Sequence, residues 1–278
     1  MASLKEVKGR IASVNNTRKI TSAMKMVASA KLHKAQAAIE SMLPYERRLH
    51  HILTDFMSNC TEVTSPFIVK REVKKVAVVV FASNTSLCGG FNANVIRHLV
   101  DLLTEYKPLG LENILVFPVG KKVADAVRKL GFRIEGDFQH MADKPSYQEA
   151  ADLAADLMKR FLHGDVDKVE LLYNHFKSTA SQILTRETYL PIDLNNEKKE
   201  EERTIDYILE PSAEELMQEM LPKVLRMKMF TVLLDSNAAE HAARTMAMQI
   251  ATDNANELLQ ELTVMYNKSR QQSITNEL

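Results

Sequence analysis

The sequence has 278 residues, 45% of them hydrophobic, and its 36 Lys and Arg residues balance its 36 Asp and Glu residues. This length and apolar content provide a core for one large or two modest domains and exclude a wholly disordered chain. The net charge of zero gives no overall argument for a nucleic acid or membrane partner. It is a cancellation, because residues 1–60 carry ten basic and four acidic residues (about +6), whereas residues 193–219 carry three basic and ten acidic residues (about −7).

Both ends of the chain are predicted to be long helices, over residues 1–60 and 212–278. Only Gly9 and Pro44 interrupt the first 65 residues, and residues 223–278 contain neither Gly nor Pro. Helical stretches this long without breakers are typical of coiled coils. At about 1.5 Å per residue, such helices are longer than a small domain is wide, so we expect them to project from it.

Apolar residues at alternating steps of three and four predict the seam of the N-terminal helix. A strict heptad would place Arg18, Thr21 and Lys25 in that seam, whereas Ile20, Met24 and Val27 lie beside it. The sequence therefore predicts that the apolar stripe rotates there, as at a stammer. The predicted seam residues of this helix are Leu4, Val7, Ile11, Val14, Ala28, Leu32, Ala35, Ile39 and Met42, followed after Pro44 by Leu49, Leu53 and Phe56.

The C-terminal helix shows a comparable spacing with more small residues. Two such seams, one at each end of the chain, predict helices that pack together as an antiparallel coiled coil. The predicted seam residues of this helix are Leu225, Met229, Val232, Ala239, Ala243, Met246, Ile250, Leu258, Leu262, Met265 and Ser269.

Between the helices, residues 70–211 alternate between strand-like and helix-like patterns. This alternation predicts a small Rossmann-like α/β domain with a mostly parallel sheet, inserted between the two helices. The acidic run at 195–203 is interpreted as a solvated loop. The predicted strands are 74–83, 113–119, 168–176, 181–190 and 204–211, and the predicted helices are 91–106, 120–131 and 147–164.

Motifs for chemistry are missing from this α/β pattern. Neither the dinucleotide fingerprint nor the P-loop motif occurs, although Gly89 and Gly90 in "SNTSLCGGFN" open a helix. A phosphate-binding turn is one interpretation, but a tight turn that presents a contact surface is favoured. Cys88 is interpreted as a small buried residue rather than an activated thiolate. The histidines have no metal-ligand spacing, so we predict no catalytic residue, cofactor or metal.

Two other functions are weighed. A coiled-coil scaffold or nucleic-acid-binding protein would use the basic N-terminal helix, which has no stacking aromatic before Tyr45. A nucleotide-using α/β enzyme would bind ATP as an isolated chain. Neither the apolar run at 76–82 nor any other stretch is long enough to span a membrane.

Four stretches of the sequence carry a known pattern, in order "MASLKEVKGRIASVNNTRKITSAMKMVASAKLHKAQ", "LCGGFN", "DYILEP" and "AARTMAMQIATDNANELLQELTVMYNKSRQQSITNEL". With them the chain resembles the gamma subunits of F-type ATP synthases, while residues 110–200 add only a compatible pattern. The resemblance implies a rotor without a catalytic site or cofactor, present in one copy per complex. Its coiled coil would turn inside a ring of alpha and beta subunits, and its α/β foot would sit with epsilon on the c-subunit ring.

The resemblance also implies a location and contact residues. The complex would lie at the cytoplasmic face of a bacterial inner membrane, with this chain peripheral and not inserted, and the family pattern continues as helix beyond "ITNEL". The positions implied to contact the beta subunit are Met24, Arg244, Arg270, Gln271, Thr275 and Glu277. The positions implied to contact the c ring and epsilon are Leu87, Cys88, Gly89, Gly90, Tyr207 and Glu210.

Overall fold

A computed structural model describes residues 4–59, 65–192 and 213–277. The predicted strand at 204–211 and the acidic run at 195–203 lie outside these residues. Two short 3-10 turns, Lys107–Leu109 and Leu111–Asn113, follow the helix that ends at Tyr106. The helices are α1 (Leu4–Asn59), α2 (Phe91–Tyr106), α3 (Lys121–Leu130), α4 (Gln139–Asp143), α5 (Tyr147–His163) and α6 (Ala213–Glu277), and the strands are β1 (Val76–Phe81), β2 (Ile114–Val119), β3 (Arg133–Ile134), β4 (Lys168–Ser178) and β5 (Ser181–Leu190).

The five described strands form one sheet in the order β3-β2-β1-β4-β5. The first four are parallel, and β5 runs antiparallel to β4. The prediction of a mostly parallel sheet between two long helices is therefore confirmed. The sequence did not predict β3 or α4, because two and five residues are too short to show a periodicity.

Every residue of the central strand β1 is buried, because helices cover both faces of the sheet. Alternate residues point to opposite sides. On one side, Val76 and Val78 join a cluster that includes residues of α2 and α3. On the other side, Val79 and Phe81 join the larger cluster, to which α5 and residues 217–234 of α6 contribute. Helix α6 is thus part of the core of the α/β domain.

The same helix pairs with α1 in an antiparallel coiled coil, as predicted. Leu32 and Ala35 of α1 share a cluster with Ala238 and Ala242 of α6. Closer to the start of α1, the Thr21 hydroxyl lies 2.8 Å from the hydroxyl of Thr252, so the partner residue on α6 moves towards the C-terminus as α1 moves towards the N-terminus. We call residues 4–25 of α1 and 248–277 of α6 the shaft. At about 1.5 Å per residue the α6 part of the shaft is about 45 Å long.

The predicted rotation of the α1 stripe is wrong. Thr21 is only 9% exposed, whereas Ile20 and Val27 are 60% and 59% exposed. The heptad therefore continues through Arg18, Thr21 and Lys25. This polar stretch is tolerated because the Thr21 and Thr252 hydroxyl groups lie within hydrogen-bond distance of each other and each also reaches a carbonyl of its own helix. In addition, Arg18 Nη1 donates to Asn256 Oδ1 at 3.5 Å.

The predicted α6 seam is wrong at Met246 and at most positions within the shaft, although Leu262 is correctly placed. Ala255 and Leu262 are 7% and 6% exposed, and they follow Thr252 at steps of three and seven. The seam therefore follows small and polar positions, and the larger apolar residues lie outside it. Exposed instead of buried are Met246, Ile250, Leu258 and Met265.

Candidate functional site

The carboxyl edge of the sheet, between β1 and β4, is where open α/β folds bind their ligands. Here α6 fills that crevice. Ala239 and Ala243 of α6 share a buried cluster with Cys88 and Phe91, and Phe176 of β4 packs against this cluster. The alanines allow this close approach because their side chains are small. The place where a nucleotide would sit is taken by the chain's own helix.

Backbone amides at this edge are also used internally. The Lys121 N–H donates to Asn84 Oδ1 at 2.8 Å, and the Lys122 N–H donates to the Ser83 carbonyl at 3.2 Å. Gly120 lets the two loops meet, since its φ is +119° and a Cβ there would lie 2.2 Å from the Ala82 carbonyl oxygen. The first amides of α3 therefore do not form an open phosphate cradle.

The remaining space at this edge is small. A cavity of about 10 Å³ lies between the sheet and α6, with Ser236, Asn237 and Glu240 among its lining residues. That volume holds about one water molecule. In the described ranges, no three His, Cys, Asp or Glu side chains lie together as metal ligands. No helix in the described part of the chain is long and apolar enough to cross a bilayer.

The surface of the coiled coil outside its seam carries large apolar side chains. At about 100° per residue, Met246, Ile250 and Val264 share one side of α6, opposite the buried Ala255. Val264 is 69% exposed and Ile250 is 50% exposed. The coiled coil leaves these side chains in water, which is expected of a surface that binds other proteins. The exposed set is Ile20, Met26, Val27, Met246, Ile250, Leu258, Val264, Met265 and Ile274.

The predicted beta-contact residues fall into two groups. Met24 is half-buried on α1, and Arg270, Gln271 and Thr275 are exposed near the end of α6. The Thr275 hydroxyl donates to the Gln271 carbonyl at 2.9 Å. Glu277 is the last residue of α6, and its side chain is outside those described.

Arg244 differs from the others because it is 9% exposed and bound within the chain. Its guanidinium donates to Glu240 Oε1 at 2.6 Å and to the Ser86 carbonyl. Burial raises the pKa of the Glu240 carboxyl, and Arg244 opposes that rise. The structure thus gives Arg244 an internal role that the sequence did not indicate.

The predicted foot residues also separate. Leu87 is 60% exposed and has a φ of +67°, which is rare for a residue other than glycine. Cys88 is 1% exposed, and its sulfur accepts from Asn92 Nδ2 at 3.1 Å, as expected for a buried residue. Gly89 also has a positive φ, of +59°, whereas Gly90 precedes α2 at −80°. Tyr207 and Glu210 lie outside the described residues.

A buried ionic cluster was missed by the sequence analysis. Glu170 is 1% exposed and accepts from Tyr106 at 2.9 Å, Lys168 at 2.6 Å and Arg186 at 2.9 Å. Burial alone would raise the pKa of Glu170, but these donors outweigh it, so the pKa lies below its ordinary value. The cluster ties β5 to β4 and α2. Its sequence signal is the pair Lys168 and Glu170, two charges within the mostly apolar first half of β4.

Three comparisons place the chain among known proteins. The sequence model of the family described as ATP synthase matches residues 3–278. An ATP synthase gamma chain from Phocaeicola vulgatus is 81% identical over 280 residues, covering all of this chain and 97% of the relative. One from Bacteroides thetaiotaomicron is 62% identical over 289 residues, again covering 100% and 97%.

Among solved structures, the rotor of the Euglena gracilis mitochondrial ATP synthase is similar, with a TM-score of 0.63 and 19% identity over 98% of each chain. At that identity the likeness shows the fold alone. Together with the full-length sequence matches, it agrees with the two long helices and the inserted α/β domain. The chain belongs to the ATP synthase gamma-chain family, the central-stalk rotor of F-type ATP synthase.

Proposed function

We propose that the shaft turns inside a ring of alternating alpha and beta subunits, while the α/β domain sits with epsilon on the c-subunit ring. One copy per complex, peripheral at the cytoplasmic face of a bacterial inner membrane, would couple proton-driven rotation to ATP synthesis. The observation that carries this proposal is the apolar outer surface of the shaft. Ile20 and Val264 are each more than half exposed, although the seam between the helices is partly polar.

The mechanism follows from the asymmetry of this surface. At any angle, the chain presents different side chains to each of three chemically identical beta subunits. An orientation that contacts one conformation of beta more favourably shifts that subunit towards it, and only this difference in affinity has an effect. A difference of about 1.4 kcal/mol changes the affinity of a nucleotide site tenfold.

The individual contact residues remain proposals. Met24, Arg270, Gln271 and Thr275 lie on the shaft, where beta subunits would reach them, and the same is proposed for Glu277. For Arg244, a contact with beta would have to share the guanidinium with its two internal acceptors. In the foot, Leu87 offers an exposed side chain, whereas Cys88 is buried and would contribute through the backbone shape of its loop. Contacts of Gly89, Gly90, Tyr207 and Glu210 are likewise proposed.

Reconstitution with purified alpha and beta subunits tests the proposal. We expect cooperative ATP hydrolysis only when the chain is added. The double variant Ile250→Ser and Val264→Ser should weaken assembly, because both side chains are exposed in the free chain and would be buried in the ring. Leu130→Ser, an exposed leucine on α3, is the matched control and should assemble normally. Equal hydrolysis with and without the chain would contradict the proposal.

The purified chain also allows the rotor function to be distinguished from the two other functions. A nucleic-acid-binding protein would be retained on a polyanionic resin with a steep salt dependence, and an enzyme would bind ATP as an isolated chain. We expect no ATP binding, since the crevice at the sheet edge is filled by α6. We also expect no such retention, since the basic N-terminal helix has no stacking aromatic before Tyr45.

A further inference from the structure

Helix α6 is tied to the α/β domain just before it enters the shaft. We call this region the neck: residues 235–247 of α6, the β1–α2 loop (82–90) and residues 175–178 of β4. Asp235 Oδ1 accepts from the Phe176 N–H at 2.8 Å, and Asp235 Oδ2 lies 2.7 Å from His175 Nδ1. These bonds fix the end of β4 to one side of α6.

A second tie lies on the other side of α6. Arg244 follows Asp235 by nine residues, which at about 100° per residue places it about 180° around the helix. Its guanidinium donates to the Ser86 carbonyl in the β1–α2 loop and to Glu240 Oε1. A twist of α6 about its own axis would therefore strain bonds on opposite sides of the helix at once.

Glu240 directs the Arg244 side chain to the loop. The side chains of the two residues are 10% and 11% exposed, unlike ordinary surface pairs at this spacing. Glu240 lies one turn before Arg244, and its carboxylate holds one guanidinium nitrogen while another reaches the Ser86 carbonyl. Without the carboxylate, the guanidinium would be buried without a charged partner and would turn towards solvent.

The loop packs against α6 at Cys88, which is buried with Ala239 and Ala243, whereas residues 85–87 just before it are exposed, and this is where the tie acts. Leu87 and Gly89 both have positive φ, and the Leu87 side chain is 60% exposed. A leucine in this backbone conformation persists only when its surroundings enforce it. The carbonyl held by Arg244 belongs to Ser86, the residue directly before Leu87. Arg244 thus acts at the strained point of the loop.

We propose that Glu240 and Arg244 are positioning residues that hold the β1–α2 loop against α6 and make the neck stiff against twisting. The domain and the shaft then turn as one body, and torque passes between them through α6. This inference rests on the rotor function proposed above and adds to it the residues that connect its two parts.

The first test uses the variant Glu240→Ala in the complex assembled with alpha and beta subunits. The ring is fixed to a surface, and a rod is attached to the domain through an azide-bearing residue in place of the exposed Asp101. We expect a wider angular distribution of the rod during pauses, with ATP hydrolysis unchanged in the absence of the rod. Glu219→Gln is the matched control, because it removes an exposed pair with Lys223 at the same spacing on α6. The control should leave the width unchanged.

A disulfide across the same contact provides the rescue. A Cβ at Gly89 would lie 3.9 Å from the Cβ of Ala247, within the spacing of natural disulfides. In a Glu240→Ala chain lacking Cys60 and Cys88, the pair Gly89→Cys and Ala247→Cys should restore the narrow distribution when oxidised. Reduction should widen it again. An unchanged width in Glu240→Ala, or no narrowing on oxidation, would overturn the proposal.

If Glu240→Ala does not assemble, the proposal is tested with the Gly89→Cys and Ala247→Cys pair in a chain that keeps Glu240. With Glu240 present the neck is already stiff, so oxidation should leave the width unchanged, whereas marked narrowing would refute the proposal. Failure of the unsubstituted chain to support hydrolysis would instead refute the rotor function. The two failures are therefore distinguishable.

Discussion

We expect the buried His241 to make the folded chain less stable in mild acid. It lies on α6 in the neck, is 6% exposed, and its Nδ1 has no partner among the described residues. Burial lowers its pKa to about 4 from the ordinary value of 6.5, and Lys31 and Arg244 add to this while Asp143 opposes it. The folded chain therefore holds this imidazole neutral at a pH where the unfolded chain protonates it.

The sign and size follow from linkage. Between pH 6.5 and pH 4 the unfolded state binds the additional proton, so stability is full above that window and falls as the pH is lowered through it. With these two pKa values the loss is about 2 kcal/mol at pH 5 and about 3 kcal/mol at pH 4. The lowered pKa values of Glu105 and Glu170 act below their ordinary value of 4.5, outside most of this window. The raised pKa of Glu240 acts within the window with the opposite sign, so the effect of His241 is read as a difference between variants that share Glu240.

Urea unfolding of the full chain at pH 7 and pH 5 measures this effect. In the variant His241→Gln this side chain cannot be protonated. The decrease in the free energy of unfolding from pH 7 to pH 5 should therefore be about 2 kcal/mol smaller in this variant than in the unsubstituted chain. His33→Gln, on the exposed side of α1, is the control and should retain the full pH dependence. Parallel pH profiles for His241→Gln and the unsubstituted chain would refute the reasoning.

Four further substitutions test the fold by their free energy of unfolding. Gly120→Ala should cost about 3 kcal/mol or more, because its Cβ meets a backbone carbonyl at a glycine-only φ. Gly9→Ala, in an open helical position, should stabilise by about 0.5–1 kcal/mol, and equal effects at both sites would contradict this. Arg186→Met should cost about 2–3 kcal/mol by removing two hydrogen bonds from buried Glu170, and a neutral result would show that the remaining donors suffice. Thr21→Val should cost about 1 kcal/mol, with most of it recovered when both seam threonines become valine, whereas additive costs would exclude their coupling.

The elements of the fold were predictable where one face or one run of residues dominates the sequence. Strand β1 is a continuous apolar run, and α5 is amphipathic and ends at Gly164, so both were found. The order of the strands was not predictable in detail, since it depends on which faces the helices cover. The shared role of α6 in the domain core and in the coiled coil also has no local signal.

The seam errors have a physical cause. The spacing of apolar residues predicts a seam only when all of these residues are buried between the two helices. In the shaft, Ile250 and Val264 are apolar but exposed, while Thr21 is polar but buried against another threonine. A surface that serves partner chains competes with the seam for apolar residues, and a single sequence does not separate the two demands.

For the candidate site, the sequence resemblance indicated which positions to consider, but it did not indicate which way their side chains point. Arg244 was expected at a surface and is bound inside the neck, because its two acceptors lie four residues away on α6 and on a distant loop. The ionic cluster around Glu170 was missed since its members come from three elements. Contacts that depend on the packing of distant segments need coordinates.

The pairing of the first helix with the last has a consequence for biosynthesis. Thr21 and Thr252 are separated by 231 residues, so α1 leaves the ribosome long before its partner exists. At a synthesis rate of about 5–20 residues per second, the seam of α1 waits roughly 12–46 s for α6. During this time its buried positions, including Leu32 and Ala35, are open to chaperones and to other nascent chains.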